Sequence, residues 1–342
     1  MRRSTRLSLV VGVPLLAAFA AYTGYWWITA DRIRQGVANW AEAMRARRIE
    51  ASWRQVRVAG FPFAFRVELN DATVRDLALT PTPELHLPML SGSTAPWDFR
   101  KWRLAAPEGL EAGLAGAGQR PPGRLTATAA SGTVAVDPQG GATIWLTLER
   151  PMAEAGERVR AQSADGWVVL PARPPQTHDQ TNLAVALRLN RVTLPASPPP
   201  LSDTVDELAL GLKVMGPFPG GALPQALAAW RDAGGTVELD NFHLRWGALG
   251  ISGSGTLALD LELQPIGGFS GAVQGYDQIM TALVESGRLR ASDAGLARLG
   301  LSMMARAGPD GRSEIKTSFT VQHGEMLLGP LKLGKVPRVA WE

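Results

Sequence analysis

The sequence predicts a mainly β protein with a few helices, in which an N-terminal transmembrane helix and an amphipathic stem lead into a large curved antiparallel sheet. Three observations predict it. No charged residue occurs from Leu7 to Ile28. After Trp53, apolar residues alternate with polar ones in many short runs, the period of a half-buried strand. The 342 residues include 37 Gly and 25 Pro while only 19% are charged, a balance that favours short strands joined by turns.

The uncharged run comes first. At helical rise, Leu7 to Ile28 makes about 33 Å, close to the hydrocarbon thickness of a bilayer. Tyr22, Tyr25, Trp26 and Trp27 cluster at its far end, where amphipathic rings prefer the headgroup level, and Arg2, Arg3 and Arg6 precede its near end. This predicts a single-pass inner-membrane protein with its C-terminal domain in the periplasm, and membrane lipid as a partner through the helix. Two rival readings stay open. A cleaved signal peptide has the same Arg-rich start, with small residues at Ala18, Ala20 and Ala21. The reverse orientation places Arg32, Arg34, Arg45, Arg47 and Arg48 on anionic lipid, with Asp31 offsetting the first of them.

Beyond the span, Ile33, Val37, Trp40 and Met44 recur at helical spacing. Such a stripe packs on the following domain or lies on the lipid surface, and packing is the expected outcome. Residues 1–30 are thus assigned as anchor, 31–52 as stem and 53–342 as an extracytoplasmic β-rich domain, with a division near 200 into two sub-sheets compatible with the pattern.

In the body, Phe61, Phe63, Phe65, Val67 and Leu69 alternate with polar or small residues, and Pro62 places that strand at a start, an edge or a bulge. Similar runs are Ile144–Leu148, Leu183–Leu189 and Leu208–Val214, and the cleanest is Leu257, Leu259, Leu261 and Leu263. Asp137-Pro138-Gln139-Gly140-Gly141 and Asp310-Gly311 read as turns. A Gly-Thr-apolar-x-apolar-Asp frame starts at Gly132, Gly235 and Gly255, at unequal spacings that favour shared strand-starting chemistry over a repeat. Helices are expected at Leu223–Trp230, at Ile279–Val284, and near Leu296, Leu299 and Met303. Segments 107–124 and 171–176, and Pro198-Pro199-Pro200, read as loops or boundaries.

Charge and composition exclude several functions. Of the net +4, residues 1–57 carry ten Arg against Asp31, Glu42 and Glu50, so the body is net acidic and offers no footprint for nucleic acid. With no Cys, there are no disulfides, thiolate zinc sites or cysteine nucleophiles. His86, His178, His243 and His323 are too far apart in sequence for a helical or hairpin metal pair. Gly250 and Gly253-Ser254-Gly255 precede a strand in this reading, so they lack the helix N-terminus that would hold phosphate. Asp206, Glu207, Asp260 and Glu262 are read as water-facing. The chain is therefore expected to be no enzyme, with no catalytic, cofactor-binding or metal-binding residues and no cofactor. Among the eleven Trp, Trp145 falls on the strand face opposite Ile144, Leu146 and Leu148. If both faces are apolar there, helices cover one and the other forms a groove.

The Arg-rich anchor, the stem ending at Trp53, Gly60-Phe61-Pro62-Phe63 before an alternating strand, Leu244-Arg245-Trp246-Gly247, the Gly255–Asp260 frame and His323–Pro330 resemble an uncharacterised proteobacterial membrane-anchored family, catalogued as a domain of unknown function. Its motifs carry no chemistry to transfer. The architecture also resembles AsmA-type envelope proteins, which implies a long curved sheet able to hold acyl chains. The expected function is an envelope protein that binds lipid or an amphipathic partner on an apolar sheet face, with Phe61, Phe63 and Phe65 as the candidate groove. The alternatives are a scaffold for another envelope protein and a hydrolase.

Overall fold

The computed structural model describes residues 2–79, 81–114, 122–197, 201–220, 223–286, 290, 294–295, 298, 301–302, 305–308, 313–328 and 331–341, with side chains from residue 13 onward except at 328, 331 and 333. The chain is mainly β with antiparallel pairing, and it divides into two compact units. The first is Met1–Ala135 with Glu154–Gly156, and the second is Val136–Ala153 with Glu157–Glu342.

The first unit holds α1 (Arg2–Arg45), β1 (Ile49–Ser52), β2 (Gln55–Ala59), β3 (Phe65–Asp76), β4 (Pro83–Ala95), β5 (Asp98–Ala106), β6 (Leu110–Leu114), β7 (Gly123–Ala127) and β8 (Ala129–Val136). The segment read as anchor and most of the one read as stem form one helix, α1, with Pro14 inside it, but the end of the expected helical stem, 49–52, is strand β1. Among the described residues, no helix is long and apolar enough to cross a membrane. The expected span starts at Leu7, and its side chains up to Gly12 lie outside that description.

Two long strands organise this sheet. β2 pairs with Arg66–Asn70 of β3 and β1 with Thr73–Asp76, so one edge of β3 takes two short strands in turn. The change of partner falls at Asp71, whose φ is +56°. β4 does the same on its far edge, pairing β6 near Pro83 and β5 near Ala95. The alternating residues of β3 explain its two faces: Phe65 and Val67 are buried while Arg66 is exposed.

Helix α1 covers the buried face. Trp26 stacks on Phe65 with centroids 5.2 Å apart and planes at 15°, and Ala30 completes a buried cluster against which Ile33 and Val58 pack. Burying a Phe side chain contributes about 1.5–3 kcal/mol, so this contact is a major tie between helix and sheet. The expected packing of the stem stripe holds at Ile33, whereas Trp40 stays exposed.

The strand expected to begin at Phe61 begins at Phe65, because Phe61–Phe63 form a turn with a cis Phe61–Pro62 peptide. Pro62 has no N–H for a ladder, and the turn is closed instead by Ala64 N–H donating to Gly60 O at 2.9 Å. Segment 107–124, read as loop, contains β6 and the start of β7.

The second unit holds β9 (Ala142–Glu149), then β10 (Met152–Ala155), which straddles the division, β11 (Glu157–Arg160), β12 (Ser163–Leu170), β13 (Thr181–Thr193), β14 (Thr204–Met215), α2 (Leu223–Asp232), β15 (Thr236–Trp246), β16 (Leu249–Leu259), β17 (Pro265–Gln274), α3 (Tyr276–Glu285), β18 (Ala305–Ala307), β19 (Ser313–Gln322), β20 (Glu325–Leu328) and β21 (Leu331–Lys335). From β9 the sheet runs through β12, β13, β14, β15, β16, β17, β19, β20 and β21, each antiparallel to the next. Described residues on both sides of the expected division near 200 lie in one sheet, with β13 and β14 paired from Thr181↔Met215 to Thr193↔Thr204.

Helices α2 and α3 lie where the sequence placed them. Leu296, Leu299 and Met303 of the expected third lie outside the described residues, as do Pro198–Pro200, Asp310-Gly311 and Gly329-Pro330. The run that looked cleanest, Leu257–Leu263, is a hairpin: β16 ends at Leu259 and β17 starts at Pro265. Asp260 makes the turn, its Oδ1 accepting from the N–H groups of Glu262 and Gln264 at 3.0 and 2.7 Å. Leu261 at the tip is 80% exposed.

Candidate functional site: an apolar sheet face

Cross-strand partners share a face, so the register assigns every side chain of the second unit's sheet to one of two sides. On one side, Leu183, Val185, Leu187 and Leu189 of β13 lie beside Val214, Leu212, Leu210 and Leu208 of β14. Val237, Leu239, Phe242 and Leu244 of β15 come next, the β-bulge between Leu239 and Phe242 preserving their common direction. The row continues through Ile251 and Val273 to Ile315, and through Gly255 and Phe269 to Phe319. In the other direction it reaches Val168, Gly166 and Ala164 of β12 and then Ile144, Leu146 and Leu148 of β9.

This face is partly covered. At one end α2 lays Leu227 and Trp230 on Leu259, Val214 and Val237, and Trp230 Nε1 donates to Met215 O at 2.7 Å. Trp341 packs on the same cluster and donates to Leu263 O at 2.7 Å. Away from that end the Leu rows are half-buried, and Leu146 and Leu187 are exposed.

A hollow of about 260 Å³ sits in the face between β15 and β19. Leu239, Phe242, Ile251, Phe269, Val273 and Phe319 wall it, and Gly253 and Gly271 form its floor. The paired glycines make the depth, since Gly253 and Gly271 present backbone between the projecting side chains of Ile251 and Val273 on one side and Phe269 on the other. Phe269 and Phe319 stack at 5.2 Å with planes at 17°. No lining residue of the hollow carries a charge.

The opposite side of the same strands is polar. Glu207 pairs with Arg188 at 3.3 Å and Arg245 at 3.7 Å, and Lys213 with Asp240 at 2.9 Å. The Asp240 carboxylate, hydrogen-bonded to the Lys213 ammonium, holds that lysine above its ordinary value. Trp145 and Trp167 lie side by side in the register on this polar side, both exposed, as the alternation of β9 implies for Trp145.

Titratable groups are spent on local structure. His86 Nε2 and Asp71 Oδ1 are 2.9 Å apart, and that hydrogen bond lowers the Asp71 carboxyl. Glu325 is lowered by its hydrogen bond with Lys332. A polar hollow of about 420 Å³ gathers Asp260, Glu262, His323 and Glu325, but Asp260 is committed to its turn and Glu325 to Lys332. Among the described residues no group of three His, Asp or Glu side chains is placed to hold a metal ion. Gly250 and Gly253-Ser254-Gly255, read as preceding a strand, lie inside β16.

The candidate groove residues Phe61, Phe63 and Phe65 do not form one row. Phe65 is fully buried beneath Trp26, which corrects its assignment to an open groove. Phe61 turns to the helix, with its ring 5.5 Å from Trp26 and 6.3 Å from both Phe19 and Tyr22. Phe63 points away into the open and is 76% exposed. The larger apolar face is built from runs that the sequence did show. What marked it was the stretch from Ala142 to Met215, four Leu- and Val-rich strands with no helical pattern between them to cover their apolar side.

No curated protein and no solved structure matches this chain. Residues 26–337 match a family described as "Uncharacterized protein conserved in bacteria (DUF2125)", and the chain belongs to that family.

Proposed function

We propose that the protein is an inner-membrane-anchored envelope protein whose periplasmic second unit holds an acyl chain of a lipid on its apolar sheet face. The observation that carries this reading is the uncharged, glycine-floored hollow and the half-buried Leu rows that continue from it. A soluble domain buries such a surface unless something occupies it. The occupant is an acyl chain because the lining offers no charge to pair with, so a peptide's polar groups would be desolvated without compensation. Binding, not catalysis, is the activity this arrangement favours.

The uncharged run Leu7–Ile28 supports the anchor, and Arg2, Arg3 and Arg6 before it support the orientation. The pair Trp145 and Trp167 favours a second role, docking of another envelope protein on the polar side, since exposed Trp is enriched at binding hot spots.

The test is native mass spectrometry of the full chain extracted in mild detergent, beside Leu187→Glu and Leu210→Glu variants. Lipid is expected to co-purify with the parent and to be lost from both variants. A parent free of lipid, or variants that retain it equally, rejects the proposal.

A further inference from the structure

We infer that the first unit has a second membrane contact: the loops carrying Phe63 and Trp97 insert into the headgroup layer beside α1, with Lys101 and Arg103 on lipid phosphates. The inference rests on the reading that α1 crosses the bilayer. Its own basis is how the two loops are attached. Tyr22 OH donates to Pro62 O, and Tyr25 OH donates to Pro96 O at 3.0 Å. Trp26 Nε1 adds a third tie, to Ala64 O at 3.2 Å. Each loop is thus pinned to the aromatic end of the uncharged run, where the helix leaves the hydrocarbon for the headgroups.

At that level the loops present Phe63 at 76% and Trp97 at 75% exposure, while Phe61 faces inward to the helix. Both rings are largely exposed in that position, and Trp and Phe are residue types that seat at the boundary between headgroups and acyl chains. The charge pattern matches. Phe63, Lys101 and Arg103 line one hollow of about 230 Å³ at this end of the sheet, with Asp98 the one acid among its lining residues. Arg66 lies beside Ser93 in the register, and Ser93 beside Arg103, so a third cation shares their side. Basic side chains next to buried-ring anchors are how peripheral segments hold anionic lipid.

The chain has no cysteine, so single substitutions Phe63→Cys, Trp97→Cys, Leu16→Cys and the exposed Leu79→Cys each give one labelling site on the full protein. Each variant carries an environment-sensitive fluorophore and is reconstituted in two sets of vesicles of phosphatidylethanolamine and phosphatidylglycerol, one with a lipid quencher near the headgroup, which reads 63 and 97, and one with a quencher at the acyl-chain centre, which reads 16. Labels at 63 and 97 are expected to lose at least about half their emission, as groups seated at the headgroup boundary do, while the label at 79, past the opposite end of β3 in the same unit, keeps its own. If 63 and 97 are unquenched while 16 is quenched, the inference falls and the anchor stands. If 16 is unquenched too, the anchor reading itself falls. Protection of 63 and 97 from a water-soluble thiol reagent without lipid quenching assigns the loops to a protein partner and overturns the inference.

Discussion

Trp26 joins three roles in one side chain. It stacks on Phe65, meets Phe61 edge-on and donates to Ala64 O, so helix and sheet of the first unit depend on it. Trp26→Ala opens a cavity over a side chain with no exposure and is expected to cost about 3–5 kcal/mol, read by urea denaturation of the detergent-solubilised chain. Trp26→Phe keeps the stack and loses the hydrogen bond, so it costs less. A loss below about 1 kcal/mol for Trp26→Ala shows that the helix is not held by this contact. Asp71 gives a pH prediction. The hydrogen bond from His86 lowers its carboxyl below the ordinary 3.8, so the pair's contribution is present above that value and lost as pH falls through the lowered one. A carbon-13 titration of the Asp71 carboxyl should show a midpoint below that of a reference aspartate, and His86→Ala should raise it toward the ordinary one, with Arg54 still lowering it. An unmoved midpoint in the variant assigns the shift to another group. At this scale the sequence was least informative. It showed Phe65 as one of an apolar row, but burial under a ring 39 positions away is a long-range event that periodicity does not encode.

Whole strands were more legible, and the errors have identifiable causes. Runs at Leu183–Leu189 and Leu208–Val214 became β13 and β14 because each is one uninterrupted ladder. The run Leu257–Leu263 misled because its alternation continues through a turn. Asp260 accepts two backbone N–H groups and Leu263 takes φ +56°, so the chain reverses while Leu still appears at every second place. An Asp five residues before a Pro was the available signal. Asp260→Ala should remove both acceptors and destabilise the hairpin by about 0.5–2 kcal/mol, the range for losing such a cap, measured as faster amide exchange in β16 and β17. Unchanged exchange means the register alone holds the turn. The glycines of β16 behave as elements of shape. A Cβ at Gly255 would lie 2.4 Å from Phe269 Cδ1 and 2.5 Å from Gly268 O, and the backbone oxygen cannot swing aside. Gly255→Val is therefore expected to disrupt the pairing of β16 with β17 and to lower stability by at least about 1–3 kcal/mol.

At the scale of the molecule, the Arg residues on and just after α1 bear on the proposed membrane orientation. Arg2, Arg3 and Arg6 precede the uncharged run, yet Arg32, Arg34, Arg45, Arg47 and Arg48 follow it, and a plain count of cations favours the reverse of the proposed orientation. Two observations weigh against that count. Asp31 pairs with Arg34 at 3.2 Å and accepts from Gln35 at 2.7 Å, so the first turn after the run is partly neutralised. Arg45 ends the helix and Arg47 and Arg48 lie in the turn that leads into β1 of a folded unit, and long domains translocate largely regardless of their charge. The N-terminal cations then control the outcome. Alkaline phosphatase fused after the last residue should be active in the parent, and replacing Arg2, Arg3 and Arg6 with Glu should lower that activity while raising that of a cytoplasmic reporter at the same place. If the parent fusion is inactive and the cytoplasmic reporter works, the body lies inside the cell. The apolar face of the second unit would then need an occupant other than a periplasmic lipid.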